Sequence, residues 1–389
     1  MPKRKNTRKE NGSGSIRKRK DGRWEGRYSV PAKDGCGSYI RKSVYGDTQD
    51  EVRMQLTQIT GTIDEGTYIE PSQYRLSEWI NIWLEIYVKP TVKDFTYDSY
   101  YGICKNHIIP NLGNVKLKDL TTTMIQKFYN SLLQKGLSTK TVKGIHGIFH
   151  RLLKQAFLVG EIKQNPTERC ILPKVKKPKI EPLEDEDITR FLEGIKGHRY
   201  ENVYFITLFT GLRQGEVLGL SWDCVNFQEN SILINKQLRR DTHYAGSKYI
   251  IDSTKNDQER EITVAPSVMM VLEKQRAWQE KCAKKAGSAW NNEWNLVFTN
   301  ELGEHLSHPT VYKNYKAIMR NLGIENKRFH DLRHTYAVAA LESGDDIKTL
   351  QGNLGHATAS FTLDRYGHVS KAMRQKSAMN MQQFINKVS

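Results

Sequence analysis

The stretch 330–336, HDLRHTY, decides how the fold and chemistry of this sequence are interpreted. We interpret it as part of a helix, in which His330 and Arg333, three positions apart, face the same side. Tyr336 in the same stretch is interpreted as a packing residue. A single HxxR pattern occurs often by chance, so its weight depends on the motifs on either side of it along the chain.

Four further residues complete an ordered set around this stretch. Arg213 lies in TGLRQGEVLGLSW (210–222), and Lys255 lies in STKNDQERE (253–261). His356 closes GNLGH (352–356), and Tyr366 follows ten residues later in DRYGHV (364–369). Each residue alone has an ordinary explanation as a surface or core residue. An Arg, a Lys in a turn, HxxR, LGH and a Tyr rarely coincide in this order by chance.

These residue types suit transesterification of a phosphodiester. The reaction passes through a phosphorus centre whose non-bridging oxygens carry extra negative charge, and stabilising that charge is the main catalytic task. Guanidinium groups make bidentate contacts and stay charged at all working pH values. Arg213 and Arg333 are therefore predicted to clamp the two oxygens. Removing one contact would cost roughly 1.5–3 kcal/mol, about 10- to 100-fold in rate.

Tyr366 is the predicted nucleophile, and a covalent intermediate would conserve the phosphodiester energy without ATP. Its phenol has an ordinary pKa of about 10, so proton removal needs help, which His330 would provide. His356 is predicted to donate a hydrogen bond to a non-bridging oxygen. Lys255 would protonate the leaving 5′ oxygen, although a simple charge contact with a phosphate is the other interpretation of this lysine.

The segment around Lys255 has the pattern of a small antiparallel sheet. Ser231–Leu238 and Tyr249–Ser253 are predicted strands, and Arg260–Ala265 is predicted as a third. Lys255 then falls in the turn before the last strand. A turn at the tip of a sheet would let this side chain reach into DNA.

The other site residues are predicted at helix ends. Arg213 would open a helix directly after Thr210-Gly211. Glu216, three residues later, lies on nearly the same helical face and would orient Arg213. Gly355-His356 is predicted to begin a further helix after a glycine-containing loop.

The N-terminal region carries most of the positive charge. Residues 1–46 hold 14 Lys and Arg against 4 acidic residues, whereas the whole chain has a formal net charge of +17. Residues 1–12 are predicted to be disordered because they are polar and lack periodicity. Residues 13–70 are predicted to form a small domain of three strands and one helix. The predicted bounds are Ser15–Arg19, Arg23–Val30 and Tyr39–Tyr45 for the strands and Thr48–Ile59 for the helix.

A basic sheet of this kind can contact the major groove of DNA. The alternative is a solvated basic surface on a small fold. The candidate DNA-binding residues on its strands are Arg17, Arg19, Arg23, Arg27, Arg41 and Lys42.

Residues 72–172 have an all-helical pattern, with apolar stripes that belong to a core. Lys140, Lys143 and Arg151 fall on the polar side of the last helix, where they would contact phosphates or form a solvated face. The predicted helices are Leu76–Val88, Phe95–Ile109 with a stop at Pro110, Thr122–Gln134 and Ser138–Leu158.

A linker separates this region from the part that carries the site motifs. Residues 173–182, PKVKKPKIEP, contain three prolines and four lysines, which favour an extended chain. Residues 183–389 have a mixed pattern of helices and strands. Their last segment, 370–389, offers an apolar set for a helix, which would pack on a neighbouring subunit or, alternatively, on its own domain: Met373, Ala378, Met381, Phe384 and Ile385.

The amino-acid composition indicates which kinds of partner this chain binds. The pI of about 9.5 indicates a polyanionic partner, and nucleic acid is favoured over a membrane surface. Five widely spaced cysteines without a CxxC pair predict reduced thiols in the cytoplasm, not a zinc knuckle or disulfides. The pair His305 and His308 falls short of the ligand set of a catalytic zinc. We therefore expect double-stranded DNA as the partner, no metal, no cofactor and no membrane association.

The six residues Arg213, Lys255, His330, Arg333, His356 and Tyr366 resemble the motif set of the tyrosine recombinase (phage integrase) family, and no member of the set is missing. The resemblance runs from about Leu183 to Tyr366. Residues 72–172 resemble the family's SAM-like core-binding domain, and 13–70 resemble the arm-binding domain of phage and conjugative-transposon integrases. Gly367 departs from the pattern, because Thr or Ser is frequent there.

This resemblance implies a multidomain α+β fold: a small three-stranded sheet with a helix, an all-α core-binding domain, and a mixed α/β, mainly helical catalytic domain. It implies a site-specific recombinase that forms a 3′-phosphotyrosine and a free 5′-hydroxyl while integrating or excising a mobile element. It also implies a homotetramer on DNA, joined through the tail 370–389, with an excisionase and a host DNA-bending protein as further partners in a bacterial nucleoid.

Two other functions remain open at this point. A type IB topoisomerase-like enzyme would use the same residues without pairing two sites, but the two DNA-binding regions argue against it. A non-catalytic DNA-binding regulator would have lost its active site, but the intact set of six residues argues against that. The sequence leaves the target sites and the kind of element, prophage or conjugative transposon, undecided.

Overall fold

The computed structural model describes residues 14–31, 38–66, 68, 72–175, 181–241, 248–254, 259–356, 358, 360 and 371–388. The chain divides into two compact units, residues 1–176 and 177–389. Each unit is built around hydrophobic cores of its own. The predicted fold class is confirmed, with a small sheet, a helical region and a mixed region in that order.

The first unit begins with an antiparallel sheet in the order β1-β2-β3. Helix α1 packs on one face of it, and the predicted strands and helix are confirmed to within a few residues. Gly26 in β2 permits this packing, because an added Cβ would lie 2.6 Å from Val52 Cγ1 of α1. The bounds are Ser15–Lys18 for β1, Trp24–Pro31 for β2, Tyr39–Gly46 for β3 and Gln49–Asp64 for α1.

The rest of the first unit is helical in the residues that the structure describes up to 175. Two π-helical segments, Trp83–Val88 and Cys104–Ile108, continue α2 and α3. Ser138 caps α6 as predicted, accepting a hydrogen bond from the backbone N–H of Thr141. The α-helices are α2 Leu76–Ile82, α3 Asp94–Ile103, α4 Ile109–Leu112, α5 Thr122–Gln134 and α6 Thr139–Leu158, with a 3₁₀ turn at Leu117–Asp119.

Pro110 does not end a helix, and that prediction was wrong. The π-helical segment after α3 leads directly into α4, whose second residue is Pro110. The first N–H groups of a helix have no partner inside the helix, so a proline costs little there. The π-helical segment before Pro110 changes the hydrogen-bond register, and the helix therefore continues past the proline.

The second unit holds the site motifs among its helices and two small sheets. One sheet has the order β4-β5-β8 and the other is the hairpin β6-β7. The helices are α7 Asp185–Ile195, α8 Glu201–Thr210, α9 Gln214–Leu218, α10 Pro266–Ala286, α11 His308–Asn321, α12 Phe329–Ser343, α13 Ile347–Leu354 and α14 Lys371–Val388. Short 3₁₀ turns occur at Trp222–Cys224 and Gly287–Ala289. The strands are β4 Val225–Asn226, β5 Ser231–Ile234, β6 Lys236–Arg240, β7 Tyr249–Ser253 and β8 Arg260–Thr263.

The prediction of one strand over Ser231–Leu238 was wrong. The chain breaks at Asn235, so that β5 pairs with β8 and β6 pairs with β7. An alternating pattern shows which residues are extended, but it cannot show that two successive stretches pair in different sheets. The strands predicted at Tyr249–Ser253 and from Arg260 onward are present.

An aromatic cluster fixes the start of α12. Phe329, the first residue of α12, packs edge-to-face on Tyr204 of α8 and Tyr315 of α11, with ring centroids 6.1 and 5.7 Å apart. Phe191 of α7 joins the same cluster. All four rings are buried, so the turn of α12 that carries His330 and Arg333 is held rigidly.

The end of α13 differs from the prediction. Gly355-His356 was predicted to follow a glycine-containing loop, whereas the residues before it form α13, which ends with Gly355 as its C-cap, at φ 60°. Glycine is the residue that adopts this left-handed conformation without steric cost, and it commonly ends helices. His356 therefore directly follows a helix C-terminus.

Helix α14 exposes an apolar set: Met379, Met381, Phe384, Ile385 and Val388 are each 46–66% exposed. No helix in the described part of the chain is both long and apolar enough to cross a membrane.

Candidate active site

Arg213 stands at the N-terminus of α9, as the sequence predicted, and contacts Glu216. Its Nη1 lies 2.5 Å from Glu216 Oε1, and its backbone N–H donates to Glu216 Oε2 at 2.9 Å. Nη2 donates to the carbonyl of Gly355 at 3.2 Å. The Arg213 side chain is 28% exposed, so the guanidinium is held in place while one side of it stays accessible.

Arg333 is buried, with 1% of its surface exposed. Its Nη1 donates to the carbonyl of Gly211 at 2.7 Å, and its Nη2 donates to the carbonyl of Leu354 at 2.5 Å. Gly211 precedes Arg213 by two residues, and Leu354 precedes His356 by two. Arg333 thus ties together the three chain segments that carry Arg213, His330 and His356.

Arg260 is a third arginine at this place, and no motif in the sequence pointed to it. Its Nε donates to the carbonyl of Asn353 at 2.9 Å. Three successive carbonyls at the end of α13 therefore accept from three different guanidinium groups. We call this arrangement the arginine cap: Arg260 to Asn353, Arg333 to Leu354 and Arg213 to Gly355. The last carbonyls of a helix lack partners within it and carry partial negative charge, which suits cations.

Glu216 connects two members of the arginine cap. Its two oxygens accept from Arg260 Nη1 and Nη2 at 3.2 and 2.7 Å, in addition to the contacts from Arg213. Its side chain is only 1% exposed. Burial works to raise the pKa of Glu216, but the hydrogen bond and charge of Arg260 and the charge of Arg213 outweigh it and hold the pKa at about 2.

Two histidines face these arginine charges. Burial, followed by the charges of Arg333 and Arg213, lowers the pKa of His356 to about 3. His330 has part of its ring at the surface, yet the atoms packed around the rest of it and the same two charges lower its pKa to about 4. Both imidazoles are neutral at pH 7, so one nitrogen of each ring can accept a proton or hydrogen bond.

A cavity of about 400 Å³ opens beside this cluster. Lys348 and Gln351 of α13 contribute to its wall, and neither was predicted as a site residue. The Lys348 Nζ donates to Gln351 Oε1 at 3.2 Å. The lining residues are Arg213, Thr254, Glu259, Arg260, Lys348, Gln351, Gly352, Gly355 and His356.

Two predicted site residues, Lys255 and Tyr366, lie outside the described residues. The structure brings together the other four, Arg213, His330, Arg333 and His356, with Glu216 among them.

Comparisons with known proteins identify the family of this chain. Residues 181–373 match the phage integrase family, and residues 75–133 match the phage integrase N-terminal SAM-like domain. A tyrosine recombinase XerC-like protein of Caldanaerobacter subterraneus subsp. tengcongensis is 31% identical over 353 residues, which covers 87% of this chain and 90% of that protein. The chain belongs to the phage integrase family of tyrosine recombinases.

Two solved structures share the fold. A Tn1549 transposon integrase in complex with a circular intermediate DNA has a TM-score of 0.66 at 19% identity, over 79% of this chain and all of that one. A lambda integrase tetramer bound to a Holliday junction has a TM-score of 0.57 at 16% identity, over 89% of this chain and 96% of that one. As a tyrosine recombinase, the present chain carries out site-specific recombination of DNA.

The sheet of this recombinase separates the predicted DNA-binding residues into two faces. Gly26 faces α1, and side chains alternate between the two faces along each strand. The strand register therefore places Arg17, Arg27 and Arg41 on the face opposite α1. The buried Glu25 lies between two of them, 2.6 Å from Arg17 Nε and 3.1 Å from Arg27 Nε. Lys42 alternates to the α1 side and does not join this basic face.

Arg19 and Arg23 lie at the β1–β2 turn and contact Asp21 at 3.4 and 3.0 Å. On α6, Lys140, Lys143 and Arg151 are exposed as predicted. Arg151 Nη1 donates to the hydroxyl of Tyr100.

His305 and His308, the nearest approach to a metal pair in the sequence, serve packing in this structure. Both rings lie against Tyr249, with centroids 4.7 and 5.7 Å away. Across the described ranges there is no group of three His, Cys, Asp or Glu residues placed to hold a metal ion.

Proposed function

We propose that this recombinase cleaves DNA by attack of the Tyr366 hydroxyl on a scissile phosphate held between Arg213 and Arg333. The observation that carries the proposal is the arginine cap: two guanidinium groups donate to the adjacent carbonyls of Leu354 and Gly355. They therefore lie side by side at the end of α13, where Leu354 and Gly355 precede Tyr366 by twelve and eleven residues in the chain. Side-by-side guanidinium groups suit the two non-bridging oxygens of a phosphodiester.

The proposed step balances as follows. The tyrosine oxygen forms a bond to phosphorus, and the bond from phosphorus to the 5′ oxygen breaks, which leaves a 3′-phosphotyrosine and a free 5′-hydroxyl. His330, neutral at pH 7, accepts the phenolic proton, and Lys255 donates a proton to the 5′ oxygen. His356 donates a hydrogen bond to a non-bridging oxygen. Attack by a 5′-hydroxyl from another strand reverses these changes and joins the exchanged strand.

DNA contacts are proposed in two regions of the chain besides the cleavage site. The basic face of the sheet, within an arm-type domain of residues 13–70, would bind one class of DNA site. Lys140, Lys143 and Arg151, within a core-binding domain of 72–172, would contact phosphates near the cleavage site. The linker 173–182 would join that domain to the catalytic domain 183–389. These cationic surfaces fit a nucleoid-associated protein.

Assembly into a tetramer is proposed through α14. Lambda integrase forms a tetramer on a Holliday junction. Here the five apolar side chains of α14 are exposed in the single chain, and burying them on a neighbouring copy would remove apolar surface from water. An excisionase and a host DNA-bending protein are proposed as accessory partners of the arm-type domain.

A suicide substrate with a nick beside the cleavage site tests the proposed chemistry. Loss of the short fragment prevents religation, so a covalent complex should accumulate with the wild-type chain and should be absent with Tyr366→Phe. Tyr312→Phe, which alters an exposed tyrosine on α11 in the same unit, is the matched control and should react normally. A covalent complex that persists in Tyr366→Phe would rule out the assigned nucleophile. Relaxation of supercoiled DNA without strand exchange between paired sites would favour the topoisomerase-like function.

A further inference from the structure

Arg260 has no part in the chemistry proposed above, yet all three of its guanidinium nitrogens donate hydrogen bonds. It is the first residue of β8, where it pairs with Ile234 of β5. Two nitrogens contact Glu216, and the third contacts the Asn353 carbonyl. The side chain is only 10% exposed. Arg260 therefore joins the start of α9 to the end of α13 from the edge of a sheet.

The two ends that Arg260 joins each carry a site residue. Glu216 holds Arg213 through its other contacts, and His356 follows the last carbonyl of the arginine cap. A shift of either end by about 1 Å would misplace a phosphate ligand, and misplacement of that size costs roughly 100-fold in rate.

We propose that Arg260 is a positioning residue of the recombinase: it sets Arg213, through Glu216, and His356, through α13, in one fixed relation. The proposal rests on the proposed function, because it assumes that Arg213 and His356 bind the scissile phosphate. Arg260 itself does not bind DNA in this account. Its three guanidinium nitrogens act instead on Glu216 and on the carbonyl of Asn353.

Gly355 adds a second contact to the same arrangement. A Cβ on Gly355 would lie 3.0 Å from Arg260 Nη1 and 3.1 Å from its Cδ, so the backbone of Gly355 lies directly against the Arg260 side chain. The guanidinium thus limits where the Gly355 carbonyl, the acceptor for Arg213, can lie. Hydrogen bonds and steric contact act on the same short segment.

Arg260→Lys is the decisive variant, because lysine keeps the charge but cannot contact Glu216 with two nitrogens and Asn353 with a third. The formation rate of the covalent complex on a suicide substrate is measured over a range of DNA concentrations. We expect the rate at saturating DNA to fall about 10- to 100-fold, while half-saturation changes less than about threefold. A purely structural role of Arg260 would lower the fraction of active molecules without lowering the rate per active molecule. A single-turnover experiment separates the two, because its amplitude gives the active fraction and its rate constant gives the rate.

Two control variants accompany the measurement on Arg260→Lys. Arg239→Lys alters another arginine–carboxylate pair in the same unit, 2.6 Å from Asp252, and should cleave at the wild-type rate. Tyr366→Phe shows that the covalent complex depends on the nucleophile. If the wild-type chain forms no Tyr366-dependent complex, the proposed function fails; if it does and Arg260→Lys cleaves equally fast, only the role of Arg260 fails.

A double-mutant cycle with Glu216→Gln tests whether Arg260 affects the cleavage rate through Glu216. If Arg260 acts partly through Glu216, the two substitutions together should lower the rate by clearly less than the product of their separate effects. The proposal would be overturned if the two rate effects multiplied fully, or if the substitutions lowered only the affinity for DNA. Should Arg260→Lys fail to fold, Arg260→Gln is measured in its place: an unchanged rate at saturating DNA would overturn the proposal, and a reduced rate per active molecule would support it.

Discussion

Arg213 and Glu216 form a closed pair, in which one carboxylate accepts both the guanidinium of Arg213, at 2.5 Å, and its backbone N–H, at 2.9 Å. The arrangement fixes the side chain and the first turn of α9 together. Because the same carboxylate also binds Arg260 and is 1% exposed, it is the buried negative centre of the site.

Glu216→Gln should destabilise the fold. It leaves two buried or half-buried arginines without their counter-charge, and breaking such a pair costs about 3–5 kcal/mol. Urea unfolding at pH 7 measures the free energy of unfolding. Glu261→Gln, at an exposed carboxylate on β8, is the control and should change it by less than about 0.5 kcal/mol. Equal stability of the two variants would contradict the central role given to Glu216.

The depressed pKa of His356 predicts a pH dependence of stability. The unfolded imidazole has a pKa of about 6.5, whereas the folded one has a pKa of about 3. Between these values the unfolded chain binds more protons, so stability is lost as the pH falls through this window. Between pH 7 and 5 the wild-type chain should lose up to about 2 kcal/mol more than His356→Gln. Parallel loss in both chains would show that His356 titrates normally.

Tyr315 offers a test of the core beneath the site. Its hydroxyl is buried and has no hydrogen-bond partner among the described residues. Tyr204, in the same aromatic cluster, donates to the Val311 carbonyl at 3.0 Å. Tyr315→Phe should therefore leave stability unchanged or raise it by about 1 kcal/mol, while Tyr204→Phe should lower it by about 1 kcal/mol. Thermal unfolding of both variants measures the difference, and a marked loss in Tyr315→Phe would contradict this account.

The six-residue set was recognisable from the sequence because each residue lies in a short local motif and the order is fixed. The helix start at Arg213, and the placement of His330 and Arg333 on one helix, followed from local signals in the same way. Arg260 was not recognised, although it lies in the stretch quoted for Lys255. Its partners stand 44 and 93 positions away, and no local pattern encodes such contacts.

The other errors have causes of their own. The break at Asn235 depends on which strands pair, and the path through Pro110 depends on a π-helical segment before it. The helix α13 before Gly355 was mistaken for a loop because glycine occurs in loops before helices as well as at helix ends. The three arginines that cap this end come from distant parts of the chain, and only the folded structure brings them together.

Arg41 and Lys42 allow a sharp test of the basic face of the sheet. They are neighbours on β3, but alternation places Arg41 on the open face with Arg17 and Arg27, and Lys42 on the α1 side. Arg41→Ala should weaken binding to arm-site DNA and reduce the slope of log K against log salt by about 0.9. Lys42→Ala should leave that slope unchanged. Titrations at several salt concentrations measure both, and equal effects would mean that DNA does not lie on the open face.

Removal of residues 370–389 tests the role of α14. The deleted helix carries exposed apolar side chains and none of the residues proposed to bind DNA or the scissile phosphate. The truncated chain should bind a single core site with unchanged affinity, yet its recombination of two paired sites should be strongly impaired. Phe384→Glu is the matched point variant, because a charge at the centre of an apolar contact opposes burial while the chain keeps its length. Binding is measured by mobility shift and recombination by product formation from two labelled sites. Neither variant can make the proposed apolar contact between subunits. Normal recombination by both would therefore show that α14 does not join the subunits.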